Sequence, residues 1–262
     1  MNKISAVIIT LNEEDLLQNC LDSIEDIADE IIVVDSFSTD KTEEICSKNK
    51  KLRFYHRKFD GYIEQRNYAV SLANNPYILA IDADEALSFD LHNSIKELKE
   101  NWTHDYYSFN RLNNFCGKWI RYCGWYPDVK LRLFDSRKGK FGGINPHDRL
   151  EMIPGSTFKH LKGDLLHYSY KTISEHILQQ NKFSDIKSQA LFNNRKKLYA
   201  MKIVFSPAVG FIKSYFIKLG FLDGFYGFVI CMNTAYYAFL TYTKLWDMNT
   251  HRRRENKKNV FN

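Results

Sequence analysis

The chain of 262 residues is 44% hydrophobic, 26% charged and 15% aromatic, which excludes a disordered chain on one side and a polytopic membrane protein on the other. Its formal charge of +6 is uneven: residues 195–262 hold 12 Lys/Arg and three Asp/Glu, a local +9, while residues 1–194 hold 25 against 28, a local −3. The length suffices for one large α/β domain, or for a domain plus an appendage, and a basic tail points to nucleic acid or an anionic membrane surface.

The opening Met-Asn-Lys-Ile-Ser runs straight into a strand-like segment and lacks the longer apolar core of a signal peptide, so secretion is not expected. Ile4 to Thr10 (ISAVIIT) is a short β-branched run, as in a parallel strand covered on both faces. Leu16, Leu17, Cys20, Leu21 and Ile24 then recur at helical spacing. Glu30 to Val34 reads as a second strand, and Asp40 with Glu43 offers an N-cap and its capping-box partner for the next helix. Leu52 to His56 suits a third strand, Ile63 to Ala73 a third helix and Tyr77 to Ile81 a fourth strand. The series βαβαβαβ implies an α/β fold with a doubly wound parallel sheet. Residues 105–170 read as short strands and loops rich in Tyr, Trp, Asn, Gly and Arg. Residues 173–194 read as a helix, and from about Ile203 the chain becomes apolar and aromatic.

Ligands of open α/β sheets bind beyond the carboxyl ends of the strands. Those ends carry Thr10-Leu11-Asn12-Glu13-Glu14, Asp35-Ser36-Phe37-Ser38-Thr39-Asp40 and Asp82-Ala83-Asp84-Glu85, three polar turns converging on one rim. Two carboxylates one residue apart, Asp82 and Asp84, can share a hard divalent cation, which would neutralise a diphosphate as it leaves; a solvated acidic turn is the bland alternative. Asp35 offers a hydrogen bond to a base or ribose edge, or else caps a turn. There is no G-x-G-x-x-G after the first strand and no G-x-x-x-x-G-K-[ST], which argues against a dinucleotide dehydrogenase and a P-loop NTPase. Cys20, Cys46, Cys116, Cys123 and Cys231 include no CxxC pair and no zinc spacing, so a reducing cytosol fits best.

The segments VIITLNEE at 7–14, VVDSFSTDKT at 33–42 and AIDADE at 80–85 resemble, in order and spacing, the three amino-terminal motifs of family 2 glycosyltransferases. The match covers at least residues 4–150. A looser similarity is to lipopolysaccharide core β-glucosyltransferases, through Gln65-Arg66-Asn67, Tyr126-Pro127-Asp128, Lys130-Leu131-Arg132-Leu133-Phe134, His147-Asp148 and Phe221-Leu222-Asp223-Gly224. The resemblance implies an inverting GT-A (Rossmann-like) enzyme using a nucleotide-diphospho-sugar, UDP-glucose by the looser match, with a lipid-linked or lipopolysaccharide-core acceptor. It implies a GT-A domain over 1–170 (1–100 for the nucleotide-sugar, 101–170 for the acceptor) and a helical basic and aromatic extension over 171–262.

Carried over by position, the resemblance implies that Thr10, Asn12 and Glu13 line the nucleotide pocket, that Asp35 meets the uracil or ribose, and that Arg66 and Asn67 lie near the nucleotide. Asp82 and Asp84 would form the DxD motif, with Asp84 the ligand of Mg²⁺ or Mn²⁺ and Asp82 nearer the ribose or a metal-bound water. An inverting transfer needs a base for the acceptor hydroxyl. Asp148 stands where many relatives have Glu and is the candidate base, against a plain salt bridge with Arg149; Asp128 and Glu151 are reserves. His167 offers a further metal or diphosphate contact, or is a structural histidine. Arg132 suits the diphosphate or an anionic acceptor, or a solvated strand face. The aromatics Tyr106, Tyr107, Phe109, Trp119 and Trp125 suit either an acceptor's sugar face or a core. The Q-x-x-R-W motif of processive synthases is absent, which favours single transfer.

Gly224 to Thr243 runs about 20 residues without a charge, the length of a bilayer span, but holds Asn233, two Gly and many Thr and Tyr. With Lys213 and Lys218 before it and Lys244, Arg252, Arg253, Arg254, Lys257 and Lys258 after it, the tail suits interfacial helices on an anionic membrane. A span, a buried hairpin or a homo-oligomer contact are the alternatives. No nucleic-acid motif accompanies the basic residues, so no nucleic-acid partner is expected. The expected location is cytoplasmic, peripheral on the inner membrane. Two rival readings are a sugar-phosphate nucleotidyltransferase, whose Gly-rich basic loop is replaced here by Leu-Asn-Glu-Glu, and a non-catalytic membrane-bound scaffold.

Overall fold

The computed structural model describes residues 1–145, 147–194 and 200–258. They group into two units, one of residues 1–112 with 127–168, the other of residues 113–126 with those from 169 onward.

In the first unit, β1 (Ile4–Thr10), β2 (Glu30–Asp35), β3 (Leu52–His56) and β4 (Tyr77–Asp82) lie parallel in the order β3-β2-β1-β4. The helices α1 (Leu17–Ile24), α2 (Thr42–Ser47) and α3 (Tyr62–Ser71) make the crossovers. Period-two alternation sorts the apolar strand residues between two cores. Ile4, Ala6 and Ile8 join Ile31, Val33, Leu79 and Ile81 against Leu17, Cys20, Leu21 and Ile24. Val7, Ile32, Val34, Ile78 and Ala80 join Ala69 of α3 with Phe134 and Phe141. Strands buried on both faces have no solvent side to carry polar residues, which is why their sequences are continuous apolar runs. Each such side chain removed from water contributes about 1.5–3 kcal/mol.

Asp40 makes the backbone bond of an N-cap, accepting from Thr42 N at 3.0 Å, but from two residues before α2. The residue before α2 is Lys41, with no side-chain cap, and Asp40 also accepts from Glu14 N at 3.0 Å. Its carboxylate is used to tie the turn after β1 to the turn after β2.

Beyond β4 the sheet departs from the expected all-parallel plan. The chain continues as β5 (Glu85–Leu87), α4 (Phe89–Glu100), β6 (Tyr106–Phe115), β7 (Lys118–Ile120), β8 (Asp128–Asp135), β9 (Gly139–Ile144), β10 (His147–Met152) and β11 (Phe158–Tyr170). The sheet order is β3-β2-β1-β4-β8-β6-β11-β5, with β8 antiparallel to both β4 and β6, β11 antiparallel to β5, and β7 on β6. Antiparallel neighbours need no helical crossover, and the connections here carry none apart from α4. The sheet is therefore mixed, and β6 and β11 are long strands of 10 and 13 residues rather than short ones. Tyr107 and Phe109 are core residues, both fully buried. A separate hairpin pairs β9 with β10.

In the second unit, α5 (Ile173–Asn193) opens on a capping box between Thr172 and Glu175. α6 (Met201–Ile212) leads through a π-helical turn (Lys213–Ile217) and a 3₁₀ turn (Gly220–Asp223) into α7 (Gly224–Lys258). Asp223 is buried and accepts from Arg121 N at 3.3 Å and Tyr122 N at 2.8 Å, so the Phe-Leu-Asp-Gly segment serves as a structural clasp. Ile230, Cys231, Asn233, Ala235, Thr241 and Leu245 of α7 are buried inside this unit, whereas no residue of α6 is. Among the described residues no single helix is long and apolar enough to cross a membrane; α6 and α7 pass that test only as a pair bent by 72°.

Candidate active site

The register of the parallel strands sets Thr10 beside Asp35 and Ile9 beside Asp82, so the three polar turns do meet along one rim of the first unit. Two groups of side chains stand on it.

The first group surrounds Asp82. Arg66 projects from α3 and is 4% exposed; its Nη2 lies 2.7 Å from Asp82 Oδ1 and its Nε 3.0 Å from Asp148 Oδ2. Arg132 of β8 adds Nη2 at 3.3 Å from Asp82 Oδ2. Burial alone would raise the Asp82 carboxyl, but the two guanidiniums outweigh it and hold the group well below the usual carboxylate range. Asp82 is thus a permanently ionised link between two arginines.

Asp148 arrives from the β9–β10 hairpin, which two asparagines hang on α3. Asn67 donates to Phe141 O at 2.8 Å and accepts from Phe141 N at 2.9 Å. Asn145 accepts from Ile63 N at 3.1 Å and donates to Glu64 at 2.8 Å. Asp148 therefore pairs with Arg66, and Arg149 pairs with Glu151 at 2.9 Å instead. Asn67 spends its amide on the hairpin backbone.

Asp84 faces His167 of β11, Oδ2 to Nε2 at 3.1 Å. Burial opposes the imidazolium, and the Asp84 carboxylate more than offsets that, raising His167 above its ordinary value. Glu85, the last acidic residue of the motif, is buried; it accepts from Asp82 N at 2.9 Å and pairs with Arg111 at 3.5 Å. Arg111 also holds Asp128 at 2.8 Å, and Lys130 reaches the same carboxylate at 3.0 Å. Arg111 is a site residue with no signal in the sequence: it is one of ten residues in a strand whose partners lie far along the chain.

The second group stands on the turns after β1 and β2. Asn12, in left-handed conformation at φ 55°, donates its N–H to Ser38 Oγ at 2.7 Å and accepts from Thr39 N at 2.8 Å. Glu13 N donates to Thr42 Oγ1 at 3.0 Å. Asp35 is fully buried; it accepts from Ser38 N at 2.8 Å, pairs with the Ser38 hydroxyl and meets His56 Nδ1 at 3.2 Å. Thr10 Oγ1 is buried without a hydrogen-bond partner, a group whose desolvation costs about 1–3 kcal/mol until something pairs with it.

A rim of polar turns at the carboxyl ends of parallel strands is where open α/β sheets bind their ligands. The Glycosyl transferase family 2 model matches residues 5–151. The chain belongs to that family. This glycosyltransferase is 30% identical to the lipopolysaccharide core biosynthesis glycosyltransferase LpsC of Rhizobium meliloti, the match covering 97% of this chain and 95% of LpsC. It is 32% identical to an uncharacterized glycosyltransferase of Rickettsia bellii, over 94% of this chain and 87% of the relative. Among solved structures, S. aureus TarS in complex with UDP superposes with a TM-score of 0.47 at 15% identity, covering 84% of this chain and 74% of that one.

Proposed function

We propose that this glycosyltransferase moves a hexose, glucose from UDP-glucose, onto a lipid-linked or lipopolysaccharide-core saccharide, by single displacement with inversion. The observation that carries the reading is the Asp82–Arg66–Asp148 bridge. It brings a carboxylate from the hairpin to the strand end where a nucleotide-sugar of this family would present its anomeric carbon.

The residues fit a divalent cation of the Mg²⁺ or Mn²⁺ kind. Among the described residues no three acidic, His or Cys side chains form a closed cage. Mg²⁺ is ordinarily held by one or two carboxylates and completed by substrate phosphates, and the Asp84–His167 pair offers that open arrangement. When bound there the cation would neutralise the diphosphate of the donor. Asp82, whose Oδ2 accepts from both Arg66 and Arg132, is better suited to fix those guanidiniums than to ligate. Arg132 and Arg66 then supply positive charge beside the leaving diphosphate. Asp148 takes the proton of the acceptor hydroxyl as the new glycosidic bond forms and the bond to the diphosphate breaks. Thr10, Asn12, Glu13 and Asp35 belong to the nucleoside end, with Thr10 Oγ1 the group best placed to gain a partner there. Asn67 acts at one remove, through the hairpin.

LpsC is named for lipopolysaccharide core biosynthesis, which supports an acceptor of that kind here. Membrane attachment is supported by α6 and the turn after it, where Met201, Val204, Phe205, Val209, Ile212 and Phe216 are all exposed and share one helical face. Lys202, Lys213 and Lys218 are exposed beside them, the composition of an interfacial helix on an anionic, cytoplasmic-leaflet surface.

The test is product formation from UDP-glucose with Mn²⁺ and core oligosaccharide acceptors, the anomeric linkage being read by NMR. Asp148→Asn should bind UDP normally yet turn over about 10²–10⁴-fold more slowly, the usual share of general-base catalysis. Undiminished turnover in that variant removes Asp148 as the base. A wild-type protein that binds no nucleotide sugar with any divalent cation leaves the scaffold reading instead.

A further inference from the structure

Phe37 is exposed where neither packing nor backbone preference favours it. It sits in the turn after β2 with φ 67°, a left-handed conformation that glycine adopts freely and that costs a bulky L-residue on the order of 1–3 kcal/mol. The strain is not offset by burial, because the residue is 57% exposed. Its ring lies parallel to the His56 imidazole in an offset stack, centroids 5.4 Å apart and planes within 6°. His56 is in turn fixed by Asp35 at 3.2 Å and by the edge of Phe54 at 5.0 Å. One face of Phe37 is therefore backed by a rigid stack and the other is left open at the rim.

The surroundings define what that face suits. The turns after β1 and β2 are stitched by Asn12, Ser38 and Thr39, which flank Phe37 on one strand and the exposed Leu11 on the other. Thr10, next to Leu11 and in register with Asp35, carries the buried hydroxyl that has no partner. A flat apolar ligand with a polar edge would satisfy both features at once. β2 and β4 are two strand spacings apart, about 10 Å, which separates Phe37 from the Asp82–Asp84 end by the reach of a nucleoside. We propose that Phe37 is the stacking platform for the donor's nucleobase, held flat by His56 and, through it, by the buried Asp35 carboxylate. Asp35 on this account positions the platform rather than touching the base.

The inference rests on the nucleotide-sugar reading, and the experiment separates the two. UDP with Mn²⁺ is titrated calorimetrically into the full chain and into Phe37→Gly, Phe37→Leu and Phe37→Tyr. Glycine relieves the left-handed strain, so loss of binding there cannot be a folding defect if the thermal midpoint is unchanged or raised. Base–aromatic stacking predicts about 5- to 150-fold weaker binding in the glycine variant, a substantial loss in leucine, and retention within about threefold in tyrosine. Wild-type binding of UDP with equal binding by the glycine and leucine variants overturns the platform and leaves the glycosyltransferase reading standing. If the wild type binds none of UDP, dTDP, GDP, ADP or CDP, the nucleotide-sugar reading falls and the platform with it.

Discussion

Replacing Arg66 with methionine tests the electrostatics of the site directly. The guanidinium is 4% exposed and lies within 3.0 Å of both Asp82 and Asp148. Methionine keeps much of the volume, removes the charge and leaves two carboxylates facing each other. Taking one partner out of a buried ion pair costs about 3–5 kcal/mol. Two features favour the low end: Arg132 still lies 3.3 Å from Asp82, and the Asp82 and Asp148 side chains keep 23% and 13% of their exposure. The expected loss is about 3 kcal/mol at neutral pH. Its pH dependence has a definite sign. In the native protein the arginines overcome burial and hold Asp82 well below the unfolded value of about 3.9, so its contribution is present above about pH 4 and is lost as the pH falls further. In Arg66→Met burial acts against one guanidinium fewer, the carboxyl rises, and protonation relieves it. The deficit must therefore shrink as the pH falls through the raised value of the variant's Asp82. Urea unfolding of both proteins across that range measures it. A deficit under about 1 kcal/mol at neutral pH, or one independent of pH, refutes the account of Arg66 as the shared counter-charge.

Two further outcomes follow from other parts of the chain. His176 is buried in the second unit, where burial pushes its imidazole down to about 4. The folded state then binds fewer protons than the unfolded state, whose value is about 6.5, so stability falls as the pH drops through that window, by up to about 3 kcal/mol. His176→Gln should flatten this part of the stability profile measured by chemical unfolding, and an unchanged slope counts against it. On the membrane side, Phe205→Glu with Ile212→Glu should lower binding to phosphatidylglycerol-containing vesicles at least tenfold in a sedimentation assay, since each side chain forgoes about 1.5–3 kcal/mol of burial. Persistent sedimentation, or a change in oligomeric state instead, would assign the face of α6 to a second copy of the chain.

The parallel half of the sheet was legible because β1, β2 and β4 are uninterrupted apolar runs, each ended by a polar turn. That pattern has few other solutions. The antiparallel half was not: β6 carries Asn110, Arg111, Asn113 and Asn114 among its apolar residues, and nothing local says that its partners are β8 and β11. The site shows the same divide. Asp82 and Asp84 declare themselves by adjacency at a strand end. The link from Arg66 to Asp148 depends on a hairpin hung by Asn67 and Asn145, and such a link is visible only once the strands are placed. Asp148 next to Arg149 in sequence suggested a local salt bridge, but neighbours along a strand point to opposite faces. That geometry sends Arg149 to Glu151 instead.

The motif Asp82-Ala83-Asp84-Glu85 compresses three carboxylates into four residues, and the fold gives each a different counter-charge: Arg66 and Arg132, His167, and Arg111. Adding Asp128 and Asp148 makes five negative groups in this cluster, against Arg66, Arg111, Lys130 and Arg132, with the Asp84 carboxylate favouring a fifth positive charge on His167, so the cluster carries no surplus positive charge. A diphosphate entering such a site meets cations already committed to the protein's own carboxylates. Charges a few ångströms apart in a partly desolvated cleft interact by several kcal/mol, so a site without surplus positive charge offers a diphosphate little net attraction. A divalent cation arriving with the diphosphate changes that balance in the favourable direction without displacing any internal pair. This charge balance favours the proposed metal dependence, and among these pairs Asp84 with His167 is the one in which a bound metal would take the place of a proton.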